Sequence, residues 1–103
     1  MGHMEVGSVG VELRITDPVA KKRLIDRLAR IVGQLRGLCN MITNDQPCEQ
    51  IAHQMSAARA ALSKVFAELI AVELENIEQS SGGADPVLHA RMKALGKILA
   101  KYS

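Results

Sequence analysis

The stretch Lys22–Cys48, KRLIDRLARIVGQLRGLCNMITNDQPC, decides the fold. Leu24, Leu28, Ile31, Leu35, Leu38 and Ile42 follow one another at spacings of four and three, with no proline before Pro47. They draw one continuous apolar stripe along a helix, and Ile25 and Val32 widen it. Upstream, Asp17-Pro18 is a start signal, because aspartate caps exposed N–H groups and proline at the first helical position forfeits no hydrogen bond. Downstream, Asn44-Asp45-Gln46-Pro47 reads as a short turn, with Pro47 opening the next helix.

That second helix runs from Cys48 to about Gln79, free of Pro and Gly, with Ile51, Met55, Ala58, Leu62, Val65, Leu69 and Val72 on one face. Its stretch Val65–Val72 is apolar nearly all round and predicts cover on more than one side. Ser80-Ser81-Gly82-Gly83 ends it, and Asp85-Pro86 repeats the start signal for a shorter third helix whose stripe is Leu88, Met92, Leu95, Leu99 and Tyr102. Ahead of all this, Met1-Gly2-His3 followed by Met4 has the look of an expression scar. Glu5–Thr16, with Gly7, Ser8 and Gly10 and no sustained period, reads as a mobile arm. The chain thus divides into a tag and arm over residues 1–16 and one helical domain over residues 17–103.

The fold class is all-α: a three-helix protomer with two long helices and a shorter third. An aromatic content of 2% agrees, since the core must come from Leu, Ile, Val, Ala and Met. The two long helices would reach about 40 and 48 Å, too long for the third to cover. The leftover apolar surface, in a chain of only 103 residues, predicts self-association, most simply an isologous dimer pairing the second helices and then a tetramer. No apolar run approaches a membrane span, and two cysteines without a signal sequence read as reduced thiols, so a soluble cytoplasmic protein is expected.

The net charge is only +2, so any affinity for nucleic acid must come from arrangement. Arg23, Arg27, Arg30 and Gln34 recur at spacings of four, three and four beside the apolar stripe, with Lys22 and Arg36 nearby and Arg59 and Lys64 added by the second helix. A row of guanidinium groups on a straight face matches spaced duplex phosphates, although the same row also suits a plain solvated face. Asp26 is the one acid on this helix able to pair with it, through Lys22 or Arg30. No recognition helix of helix-turn-helix type is visible, so DNA contact would read shape and phosphate more than base edges.

Cys48 falls in the first turn of a helix, where the macrodipole favours thiolate. Cys39, near the end of the first helix, reads as a small core residue, and a Cys39–Cys48 disulfide across the turn is open on spacing alone. His53 is a poor chelate partner for Cys48, His89 reads as a surface residue, and His3 would make a terminal metal clamp only if native. No phosphate loop, paired-histidine motif or nucleophile–base arrangement is present, so no enzymatic activity is expected.

Arg27-Leu28-Ala29-Arg30-Ile31-Val32-Gly33-Gln34-Leu35-Arg36-Gly37-Leu38, then Met41-Ile42, Cys48 and Gln54-Met55-Ser56-Ala57, resemble the RLxRIxGQxxGI…M…C…QISA signature of the CsoR/RcnR/FrmR family of bacterial repressors. The resemblance covers about Lys21–Ile77. It implies a protomer that pairs into an antiparallel four-helix dimer and then a flat tetramer, bound to duplex operator DNA and released by an inducer. It carries DNA contact onto Arg27 and Lys64, with Arg30 and Gln34 on the same face, and inducer sensing onto Cys48.

The departures are as informative. Metal-sensing members of the family carry a histidine and often a further Cys or His where this chain has Glu73 and Ile77, which disfavours copper. The persulfide branch uses a cysteine at the position of Ile77, and the formaldehyde branch has proline after the initiator methionine, where Glu5 follows Met4. Two inducers remain: a small electrophile such as formaldehyde attacked by Cys48, or Zn, Ni or Co held by Cys48, Glu73 and a nitrogen donor. The reading from outside this family is a helical interaction module whose basic face meets an acidic protein.

Overall fold

The computed structural model describes residues 11–80 and 86–103. Three helices make up these residues, α1 (Pro18–Thr43), α2 (Cys48–Ser80) and α3 (Pro86–Tyr102), with no strand among the described residues. The tag with His3, the first half of the arm, and the Ser81–Asp85 part of the second linker lie outside them. The described residues form two compact units, one of Asp17–Leu69 and one joining the end of α2 and α3 to residues 11–16.

In the first unit, the start signal acts as its chemistry requires. The Asp17 side chain accepts from the N–H of Ala20 at 2.9 Å, and Pro18 opens α1. At the other end, the N–H of Asp45 donates to the Ile42 carbonyl (3.2 Å) and that of Gln46 to the Met41 carbonyl (3.0 Å). This crossed pair is a Schellman ending, and it puts Asp45 at φ 57°, a left-handed position more often given to glycine. Pro47 then accepts from the N–H of Ile51, the first bond of α2.

The apolar stripe of α1 divides by heptads. Ala20, Leu24, Ile31 and Leu38 are buried, whereas Leu28, Leu35 and Ile42 stand 41 to 56% exposed. α2 divides in the same way: Ala58 and Val65 are buried, and Met55, Leu62 and Leu69 are exposed. One row of each helix therefore closes an antiparallel hairpin, each large side chain in it contributing about 1.5 to 3 kcal/mol, while the other row still faces solvent. The orientation is independently marked by Arg23 and Arg27, near the start of α1, which reach Glu68 far along α2.

In the second unit, Ile77 is 1% exposed and Leu95 5%. The stripe of α3 is rotated from the expected one. Met92, Leu99 and Tyr102 are exposed, and the covered side runs through Leu88, Arg91, Leu95 and Ile98, where Arg91 meets a carboxylate of α2. That carboxylate is Glu73, 3% exposed, whose Oε2 accepts from Arg91 Nη2 at 2.9 Å while Oε1 is buried without a hydrogen-bond partner. Ahead of α1, Val11, Leu13 and Ile15 are half-buried and Glu12, Arg14 and Thr16 exposed. This period of two is hidden in the sequence by the preceding glycines and serine, and Val11–Arg14 line a cleft with His89, Lys93 and Lys97 of α3.

Because the buried charge of Glu73 is compensated by the guanidinium of Arg91, Arg91→Ala strands it. That substitution is expected to lower unfolding free energy by about 3 kcal/mol, whereas Glu73→Leu combined with Arg91→Leu restores most of the loss. The urea midpoints of the parent, single and double variants check this; equal midpoints for Arg91→Ala and the parent would remove the pair from the core.

Candidate nucleic-acid interface and sensing thiol

The basic row survives folding in part. Arg23, Arg27 and Arg30 are all exposed on α1, and Lys64 is exposed on α2. Lys22 pairs with Asp26 at 2.7 Å, as the four-residue spacing allows. The larger counter-charge comes from the other helix. Glu68 gives Oε2 to Arg23 Nε at 2.7 Å and Oε1 to Arg27 Nε at 2.6 Å, one carboxylate oxygen to each guanidinium. Its side chain is 17% exposed against 51 and 48% for the two arginines, so the acid sits beneath them and they remain half in solvent.

Lys64 precedes Glu68 by one turn and stands on the same side of α2, while Arg59, five residues before Lys64, is about 140° round. Arg36 likewise lies about 180° from Arg27 on α1. Both are exposed but off this face. Gln34 is also not a free member of the row: it is half-buried, and its Oε1 is out of solvent without a hydrogen-bond partner. It occupies the same flank of the buried row as Arg27, one heptad on. An arginine there is long enough to climb out past the seam, and an amide on a shorter stem is not.

Sequence reading missed Glu68. The signal was its distance from the turn: Arg23 and Glu68 lie equally far on either side of Asn44–Pro47, which makes them neighbours in an antiparallel hairpin.

Cys48 is the first residue of α2, exposed and unbridged, with Glu49 beside it in the first turn. Cys39 is also free and exposed, not a core residue: it follows buried Leu38 by one position, about 100° off the seam. Its carbonyl accepts from Thr43 Oγ1 at 2.9 Å. No disulfide joins the two cysteines.

Glu73, proposed from sequence as the companion metal ligand of Cys48, lies 25 residues further along the same helix, about seven turns, with its carboxylate enclosed and held by Arg91. Among the described residues no three His, Cys, Asp or Glu side chains cluster in a way that would hold a metal ion. Cys48 itself presents a free, exposed thiol.

Residues 20–101 match the family described as metal-sensitive transcriptional repressor. Over 50 residues the chain is 44% identical to the copper-sensing transcriptional repressor CsoR of Bacillus subtilis, 48% of this chain and half the length of that relative. It is 30% identical over 84 residues to the copper-sensing transcriptional repressor RicR of Mycobacterium tuberculosis, 77% of this chain and 88% of RicR. Among solved structures, a variant of the formaldehyde-responsive regulator FrmR from Salmonella enterica serovar Typhimurium aligns with a TM-score of 0.75 at 28% identity, covering 86% of this chain and 100% of that one. Since the family match takes in all three helices, the chain belongs to the metal-sensitive transcriptional repressors, a family of regulators and not of enzymes.

Proposed function

We propose that this protein is an operator-binding repressor that works as a homo-oligomer and is released when a small inducer acts at Cys48. The observation that carries the reading is the exposed basic face of Arg23, Arg27, Arg30 and Lys64 on a chain of this family. Guanidinium groups about a helical turn apart suit successive phosphates, and a second copy repeats the face by symmetry, so a small net charge per chain grows into an extended basic surface. Leu28, Leu35 and Ile42 on α1 and Met55, Leu62 and Leu69 on α2 supply the apolar rows for that second copy.

For the inducer, the exposed and unbridged thiol of Cys48 suits electrophile chemistry. The Cys48 thiolate adds to the carbonyl carbon of an aldehyde such as formaldehyde, the oxygen takes up a proton, and the resulting hydroxymethyl thioether condenses with an amine, releasing water and leaving an S–CH2–N bridge. A bridge of this kind draws two segments together and favours whichever dimer geometry binds DNA less well. The second reading, a metal inducer, is supported by the family description and by the copper-sensing relatives. It would draw a further donor from the arm or from another copy, since the described residues of one chain do not gather three such side chains in one place. An oligomeric module whose basic face meets an acidic protein is the remaining alternative, and competition by random duplex DNA separates it.

Two outcomes are expected. Binding to the duplex upstream of its own gene should weaken steeply with salt, and Arg27→Ala or Lys64→Ala should lower affinity for all duplexes and flatten the log–log slope by about one unit for each phosphate left unneutralised. Binding indifferent to salt would contradict the phosphate reading. Against a panel of formaldehyde, persulfide, Cu(I), Ni(II), Co(II) and Zn(II), the parent should leave DNA for one inducer class and Cys48→Ala should not respond; a normal response by Cys48→Ala would move the sensing site elsewhere.

A further inference from the structure

We infer that Glu68 is a positioning residue of the DNA-binding face, a carboxylate clasp that sets the spacing and direction of Arg23 and Arg27. This rests on the DNA-binding reading above. The geometry is specific: both carboxylate oxygens are used, each on the Nε of a different arginine, at 2.7 and 2.6 Å. A guanidinium held through Nε has that edge fixed against the protein, and the three N–H donors off that edge are directed away from the carboxylate. The clasp is little exposed whereas the arginines are half in solvent, so the anchored ends are screened less than a surface pair and the outer ends meet water or phosphate.

Two consequences follow from the charges. Arg23 and Arg27 together carry two positive charges and Glu68 removes one, so the cluster attracts phosphate less than bare arginines would. In exchange, two long side chains with many rotamers are held in one register before DNA arrives, which lowers the ordering cost of a matched contact. A clasp thus trades sequence-independent attraction for discrimination: it lowers affinity for arbitrary duplex and favours a duplex whose phosphates lie where the arginines are held.

The test compares the parent with Glu68→Gln, Glu68→Asp and the pair Arg23→Lys with Arg27→Lys, each binding the duplex upstream of its own gene and a random duplex of equal length across a salt series. Glu68→Gln removes the charge and is expected to bind random duplex more tightly with a steeper salt slope, and to lose preference for its own duplex on the order of tenfold. Glu68→Asp keeps the charge but is one methylene too short to span both Nε atoms; the lysine pair keeps the charges but has no Nε. Both are expected to retain the parent's slope and lose its preference, an outcome that a merely structural tie between α1 and α2 does not give. Helix content by circular dichroism identifies any variant that fails to fold, and the other arms then carry the test. If Arg27→Ala weakens binding while all three clasp variants match the parent in slope and preference, the clasp is refuted and the DNA-binding reading stands. If the parent itself binds neither duplex, both fall.

Discussion

The constraint on which the Asp17–Leu69 unit depends is the closing of one heptad row of α1, Leu24, Ile31 and Leu38, into a hairpin with the row of Ala58 and Val65 on α2. That seam fixes which side of each helix is inside. It leaves Leu28, Leu35 and Ile42 to face outward, and it sets the antiparallel register that brings Glu68 under Arg23 and Arg27. The basic face is thus a product of the hairpin and not of α1 alone. Its charges come from one helix and their counter-charge from the other.

Two of the acids of α2, Glu68 and Glu73, show how position decides the role of a carboxylate. Glu68 is a partly exposed acid shared by two half-exposed arginines, at an edge where an outside anion can compete for them. Glu73 is enclosed, five residues further along, with Arg91 as the partner that compensates its burial, so it belongs to the interior of its unit. Cys48 is the opposite case: a free thiol at the exposed start of a helix, with no disulfide to hold it. The sensing role proposed for Cys48 calls for an accessible thiol on a fixed scaffold, and the division between these residues offers both.

What could be read from sequence follows the range of the physics involved. The helix boundaries at Pro18, Thr43, Cys48 and Pro86 were legible because caps, prolines and the Asn44–Pro47 turn act within a few residues. The direction of the basic row was legible from helical spacing, and the signature around Arg27–Leu38 pointed to the family that the comparisons bear out. Spacings of four and three, however, contain two heptad rows at once, and only the number of partners decides which is buried; Leu24 and Leu28 look alike until α2 packs. The same limit hid the Glu68 clasp, 45 and 41 residues from its two arginines, and the Glu73–Arg91 pair, 18 residues apart, whose members meet only once the register exists. Gln34 and Cys39 misled for different reasons: Gln34 lies at the edge of the seam, where side-chain length decides, and Cys39 lies one residue past buried Leu38, where exact phase decides.

The most direct measurement is of the arginine side chains themselves. Each Nε–Hε group gives its own NMR signal, and those of Arg23 and Arg27 sit in the Glu68 clasp while that of Arg91 belongs to the buried pair with Glu73. On titration with the duplex upstream of the gene, the signals of Arg23, Arg27 and Arg30 are expected to shift together, those of Arg59 and Arg36 less, and that of Arg91 not at all. Shifts confined to Arg36 and Arg59, or none in α1 at saturating DNA, would contradict the assignment of this face to nucleic acid.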